Sequence, residues 1–208
     1  MTDKPDLRRA YALETPEENR ALYADWAATY DNEFAAGMDY RLPQIVAMVL
    51  AERMPQGPVL DVGAGTGLLA QAFPLRGAVE MHALDISPDM LAVAMGKGLY
   101  ARAIEADLTR AVDIEDGVYG AVVSSGTFTH GHVGPEALDE LLRVAKAGAA
   151  FVLAINAAHF EARGFAAKFA ELNNVIKDFE LREVAIYGSA ADVGYREDTA
   201  QIAVFCKR

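Results

Sequence analysis

Val59-Leu60-Asp61-Val62-Gly63-Ala64-Gly65-Thr66-Gly67-Leu68-Leu69 is the stretch that decides the fold. A short strand runs into three glycines at alternate positions, and two leucines then open a helix. Glycine lets the backbone turn sharply and approach a ligand closely, while the N–H groups at the turn favour an anionic ligand group. The spacing is G-x-G-x-G, not the G-x-G-x-x-G of dinucleotide binders. Asp61 stands two residues before the first glycine. Beside a pyrophosphate its carboxylate adds repulsion; beside an ammonium or sulfonium charge it is an asset. The plainer alternative is an aspartate that braces the loop by accepting backbone N–H bonds.

Outward from this loop, short apolar runs alternate with helical stretches. Strands are predicted at 59–62, 79–85, 100–106, 121–124 and 150–156, with helices near 68–73, 88–95 and 135–146. In the last helix Leu138, Leu141, Leu142 and Ala145 form a core-facing stripe. Strands without polar interruption, separated by helices, indicate a parallel sheet covered on both faces. A helix over 160–173 and strands at 180–187 and 200–206 follow, the last two joined closely enough to pair antiparallel. Upstream, Thr15-Pro16-Glu17-Glu18 carries an N-cap, a proline at the first helical position and a capping box. Leu22, Trp26 and Tyr30 follow on one face, and a second helix covers 43–53. The predicted fold is α/β: a doubly wound, Rossmann-like sheet, mostly parallel with an antiparallel C-terminal strand, under an N-terminal helical cover. Residues 1–54 form the cover, 55–156 the cofactor-binding core and 157–208 the C-terminal helix and strand pair.

Two further strands end in aspartate. Asp85, in Leu84-Asp85-Ile86-Ser87-Pro88-Asp89-Met90, lies near the spacing at which a carboxylate accepts both ribose hydroxyls of an adenosine moiety. A role in the turn that starts the next helix describes Asp89 better. Asp107, in Ala106-Asp107-Leu108, is placed to accept from an exocyclic adenine amine, with Leu108, Ile86 and Met90 lining an apolar slot for the ring. Alone, Asp107 reads as an ordinary turn residue; three successive strands ending in aspartate read as a ligand site.

The 208 residues suit one domain, and 52% apolar with 24% charged residues suits a packed core. A single cysteine, Cys206, excludes an intrachain disulfide and a Cys-rich metal cluster, and agrees with a reducing cytoplasm. The first twenty residues carry charges throughout, against a signal peptide, and the apolar run at 147–155 is too short for a bilayer. With 19 Lys+Arg against 30 Asp+Glu, the net charge is −11, so nucleic acid and anionic membranes are not expected partners.

These residues resemble the class I S-adenosylmethionine-dependent methyltransferases, most strongly over 59–156. LDVGAGTG is similar to that family's first motif, LDISPDML to its second and ADLT to its third. VYGAVVSSGTFTH sits where the fourth strand and its substrate-side loop belong. The segment Tyr23-Ala24-Asp25-Trp26-Ala27-Ala28-Thr29-Tyr30-Asp31 resembles the N-terminal helix of the small-molecule branch, nearest the methyltransferase-like subgroup named for the Williams–Beuren chromosomal region. There it closes over the cofactor. The resemblance implies S-adenosyl-L-methionine as cofactor and a small-molecule acceptor. Implied contacts are Tyr30, Asp61, Gly63, Ala64, Gly65, Asp85, Ile86, Met90, Asp107, Leu108 and Ser124. Two departures stand out. Lys146-Ala147-Gly148-Ala149 replaces the family's Lys-Pro-Gly-Gly turn. Ser124-Ser125-Gly126-Thr127 replaces the Asn/Asp-Pro-Pro-Tyr signature for exocyclic nucleobase or glutamine amides.

Methyl transfer needs a general base only when the nucleophile arrives protonated. His130 in the loop 126–134 is the candidate for that role, with His132 behind it; two exposed histidines without a role are the alternative. No metal site is expected. His82 reads as a hydrogen-bonded core residue, His159 as part of a helix cap or the substrate side. Tyr195 and Arg196 read as surface residues, or as facing the pocket. Two other functions compete with methyl transfer: a catalytically silent binder of the same cofactor, and a nicotinamide-dependent oxidoreductase, which Asp61 and the glycine spacing oppose.

Overall fold

Every residue of β1 (Val59–Val62) is buried, which requires cover on both faces of the sheet. The computed structural model describes residues 5–13, 15–129 and 133–208. Beside β1 lie β2 (Met81–Asp85), β3 (Arg102–Glu105), β4 (Tyr119–Phe128), β5 (Ala145–Asn156), β6 (Ile176–Ala185) and β7 (Thr199–Lys207) in the order β3-β2-β1-β4-β5-β7-β6. The five strands β1 to β5 pair in parallel, and β7 runs antiparallel to β5 and β6. This is the expected doubly wound, Rossmann-like sheet. Strand order reverses between β1 and β4, so the crevice at their carboxyl ends is where a ligand binds in such sheets.

Alternation along each strand sorts side chains between the two faces. Val59, Ala121 and Val123 pack on one face against α3 (Leu42–Glu52), α4 (Leu68–Ala72) and α5 (Pro88–Gly96). Leu60, Val62 and Val122 pack on the other against α6 (Ala137–Val144) and α8 (Phe165–Glu171). The N-terminal cover joins the first face. Its α1 (Leu7–Tyr11) precedes α2 (Pro16–Trp26), whose capping box forms as expected: Glu18 N–H donates to Thr15 Oγ1 and Thr15 N–H to Glu18 Oε2, both at 3.2 Å. A π-helical turn, Tyr30–Ala35, follows. Arg41 N–H donates to Ile186 O and Gly188 N–H to Asp39 O, pinning the cover to the loop after β6.

Several boundaries differ from expectation. Tyr100 lies before β3, because its side chain turns back under the glycine loop. The expected helix over 160–173 is two helices, α7 (Ala157–Ala162) and α8, parted at Gly164, whose φ of +75° breaks the helical path. The helix expected to reach 146 ends at Val144 and passes directly into β5, with Gly148 left-handed inside the strand. Among the described residues no helix is long and apolar enough to cross a membrane.

Candidate active site

Gly63, Gly65 and Gly67 all take positive φ, of +63°, +52° and +88°. Only glycine does this without strain, so the alternate spacing is what allows the loop. Its backbone is tied to β2: Ala64 N–H donates to Leu84 O at 3.0 Å, and Gly65 N–H to Asp85 Oδ2 at 2.8 Å. Thr66 hydroxyl donates to Asp31 in the π-helical turn, and Lys97 Nζ donates to the other oxygen of that carboxylate. One aspartate of the cover thereby holds the glycine loop and the C-terminal end of α5 together.

The loop floors an open cleft of about 940 Å³, part of it open to solvent. Tyr30, Gly63, Ala64, Gly65, Asp85, Ile86, Met90, Asp107 and Leu108, all expected as cofactor contacts, line it together. Among the described lining residues only Asp85 and Asp107 are charged, and none is basic. Asp85 Oδ1 also accepts Ser87 N–H at 2.9 Å, while Ser87 Oγ accepts Met90 N–H as N-cap of α5. Asp85 therefore does shape the helix start, the part that the sequence reading gave to Asp89. Burial pushes its carboxyl above the usual range, and the donated N–H bonds oppose that shift. Asp107 Oδ1 accepts both the N–H (2.9 Å) and the hydroxyl (2.7 Å) of Thr109, which fixes it at the end of β3.

Asp61 and Ser124 do not reach the cleft. Asp61 shares the face of β1 with Val59 and is 1% exposed. Its Oδ2 accepts the Tyr100 hydroxyl at 2.6 Å, so it does not brace the loop through backbone N–H groups. Its Oδ1 is buried without a partner. Burial raises its pKa to about 7; the Tyr100 hydrogen bond works against this and Asp85 adds to it. Ser124 lies on the opposite face of β4 from the cleft, its buried hydroxyl also unpartnered. Its neighbour Ser125 lines the cleft instead, and its carbonyl accepts the Tyr40 hydroxyl at 2.9 Å.

His130 and His132 lie outside the described residues. His82 is a core residue, bonded through Nδ1 to the Tyr119 hydroxyl (3.0 Å) and through Nε2 to Glu80 (2.7 Å). His159 sits in α7, with Nε2 at 2.9 Å from Val133 O. Arg196 donates to Ala191 O, Tyr195 packs edge-on against Tyr11, and neither lines the cleft. Missed in the sequence were Tyr23 and Tyr40, which line the cleft beside Tyr30. Tyr23, Trp26, Tyr30 and Phe34 recur at near-helical spacing, the signal that could have drawn in Tyr23. Tyr40 carries no such signal.

The cleft accommodates an adenosyl amino acid on three counts. The glycine backbone is open where a Cβ at Gly65 would meet nothing within 4 Å. The polar lining is acidic, and a buried carboxylate oxygen behind the loop lacks a partner. Fold and cleft together resemble those of the class I S-adenosylmethionine-dependent methyltransferases. Residues 59–148 match the family described as Methyltransferase domain. The chain is 32% identical over 140 residues to methyltransferase-like protein 27 of Homo sapiens, a match that covers 65% of this chain and 57% of that protein's length. Among solved structures it resembles a TehB-like S-adenosylmethionine-dependent methyltransferase from Corynebacterium glutamicum (21% identity, 90% and 99% of the two chains, TM-score 0.61). It also resembles the cyclase SpnF (15% identity, 94% and 97%, TM-score 0.67). The second likeness separates fold from reaction.

Proposed function

We propose that this protein transfers a methyl group from S-adenosylmethionine to a small-molecule acceptor in the cytoplasm, as a member of the small-molecule branch. One observation carries the reading. The acid-lined cleft shares Tyr23, Tyr30, Tyr40, Ser125 and Gly126 with a second chamber, so two ligands can meet at that boundary. When bound, the cofactor supplies a methyl already activated by a positive sulfur, and the protein's task is alignment. Asp85 would take the ribose hydroxyls, Asp107 the adenine edge, and Ile86, Met90 and Leu108 the ring faces. The tyrosines at the boundary exclude water and hold the acceptor in line. A net charge of −11 and a cleft whose described lining holds no basic residue disfavour nucleic acid.

Calorimetry with S-adenosylmethionine and its demethylated product tests the reading: both are expected to bind, and NADH is not. Absence of binding by either at millimolar concentration, or preference for NADH, overturns it.

Asp61 adds a pH signature. Its folded pKa of about 7 means that the ligand-free protein holds a proton there below neutrality. Tyr100 and Asp85 are the titratable groups facing it. A bound cation favours the ionised carboxylate, so binding releases the proton. Affinity for S-adenosylmethionine is expected to rise with pH below about 7, by up to about tenfold per unit, and to level off above it. Asp61→Asn is expected to flatten that rise. Calorimetry in two buffers of different ionisation enthalpy counts the proton; an unchanged profile in the variant removes Asp61 from the account.

A further inference from the structure

The second chamber lies under the cover, shares Tyr30 with the cofactor cleft, and encloses about 530 Å³, part of it open to solvent. Its wall is a run of touching rings. Phe34 stands at the centre, 4.9 Å from Tyr30, 5.0 Å from Trp26 and 5.6 Å from Tyr40, and Tyr40 continues to Tyr187 at 5.8 Å. Among its described lining residues there is no Lys, Arg, His, Asp or Glu. Its polar groups are hydroxyls, backbone, the Trp26 indole N–H and the Asn156 amide, whose oxygen is taken by His159 N–H.

This lining limits the acceptor in two ways. Among the described lining residues an anion finds no counter-charge, and it loses its hydration, so carboxylates and phosphates are disfavoured. An acceptor that must lose a proton as it reacts finds no base on the described wall. The titratable groups there are tyrosines, and burial pushes the phenols of Tyr11, Tyr23, Tyr30, Tyr40 and Tyr187 upward, away from the phenolate form. Ring faces, by contrast, attract positive charge and stack on flat molecules.

We propose, building on the methyl-transfer reading, that this chamber binds a flat, ring-bearing acceptor whose nucleophile is an uncharged tertiary ring nitrogen with its own lone pair. The lone pair forms the N–CH3 bond as the S–CH3 bond breaks, and the electrons of that bond stay on sulfur. A sulfonium and a neutral nitrogen become a neutral thioether and a ring cation; no proton moves. Positive charge thus passes from the acidic cleft into a wall of π faces, which stabilise it as it forms.

Trp26 is the chain's single tryptophan and lines the chamber, so its fluorescence reads occupancy. Three probes of similar body separate the alternatives: N-benzylimidazole (lone pair), benzyl alcohol (a hydroxyl that must shed a proton) and phenylacetate (an anion). With the demethylated cofactor bound, as calorimetry verifies separately, N-benzylimidazole is expected to change Trp26 emission and phenylacetate is not. With S-adenosylmethionine, mass spectrometry is expected to show the N-benzyl-N′-methylimidazolium product. Phe34→Leu, which removes the central ring at a residue that does not itself line the cofactor cleft, is expected to weaken N-benzylimidazole about tenfold while cofactor affinity, read in the same calorimetric control, stays within about twofold.

Tighter binding of phenylacetate, preferential methylation of benzyl alcohol, or no response to N-benzylimidazole at millimolar concentration overturns the proposal. A protein that fails to bind the demethylated cofactor in the same calorimetric control overturns the methyl-transfer reading instead.

Discussion

Asp85→Ala is expected to lower affinity for S-adenosylmethionine by two orders of magnitude or more. The carboxylate has two tasks. In the free protein it accepts Gly65 N–H and Ser87 N–H, at 2.8 and 2.9 Å, which ties the glycine loop to the start of α5. In the complex its remaining lone pairs face the cleft, where the ribose hydroxyls would donate. Hydrogen bonds to a charged group contribute about 1.5–3 kcal/mol each, so loss of two at the ligand accounts for the effect before any loosening of the loop. Asp85→Asn is not conservative here, because its amide would set a donor against one of two backbone donors. The two tasks separate by measurement. Thermal unfolding without ligand reads the bracing, and the further rise in Tm on saturating with the demethylated product reads the ligand bonds. Affinity within threefold of the parent would remove Asp85 from the ribose site.

The ends of β1, β2 and β3 were legible in the sequence because everything that shapes them is local. Glycine spacing, the Ser87 cap and Asp107 with Thr109 all act within a few residues, and nine of the eleven expected contacts line the cleft. The two that do not reach it fail for different reasons. Ser124 is an error of parity: β4 alternates, Val123 and Ser125 face the cover, and one step along the strand changes face. Pairing Val123 with Asp61 across β1 and β4 would have exposed it, but register is a tertiary fact. Asp61 is an error of depth. Its partner Tyr100 comes from 39 residues on, and nothing near position 61 states that a phenol takes up one of its carboxylate oxygens.

The aromatic chamber shows the same limit more strongly. Its wall draws on α1, α2, the π-helical turn, β4 and the loop after β6, so Tyr11 and Tyr187 meet at 3.3 Å across a separation of 176 residues. Leu22, Trp26 and Tyr30 were visible as one hydrophobic face, to which Tyr23 and Phe34 are added only in the structure, and a hydrophobic face reads first as packing. Only with Tyr40 and Tyr187 opposite does it become the wall of a cavity. Acceptor specificity is written in contacts between distant segments, whereas cofactor specificity is written in turns.

The second large effect belongs to Gly63→Ala, expected to abolish tight cofactor binding and to lower the unfolding temperature. Two costs add. At φ +63° a β-carbon carries the left-handed penalty of about 1–2 kcal/mol. That carbon would also overlap Thr127 Oγ1, which donates to Val62 O at 2.8 Å and locks the end of β4 against β1. Thr127 cannot step aside without breaking that bond, so the loop must move, and the open backbone at Gly65 moves with it. Gly65→Ala is the informative contrast. It carries a similar backbone penalty at φ +52°, but its β-carbon meets nothing within 4 Å in the free protein. It is expected to cost little stability beyond that penalty and to lose affinity because the new methyl stands where the ligand lies. The double variant Gly63→Ala with Thr127→Ala relieves the overlap and leaves the penalty, and should recover part of both losses. Equal stability of the single and double variants would show that Thr127 is not what holds the loop, and a Gly63→Ala protein that binds S-adenosylmethionine as the parent does would place the cofactor elsewhere.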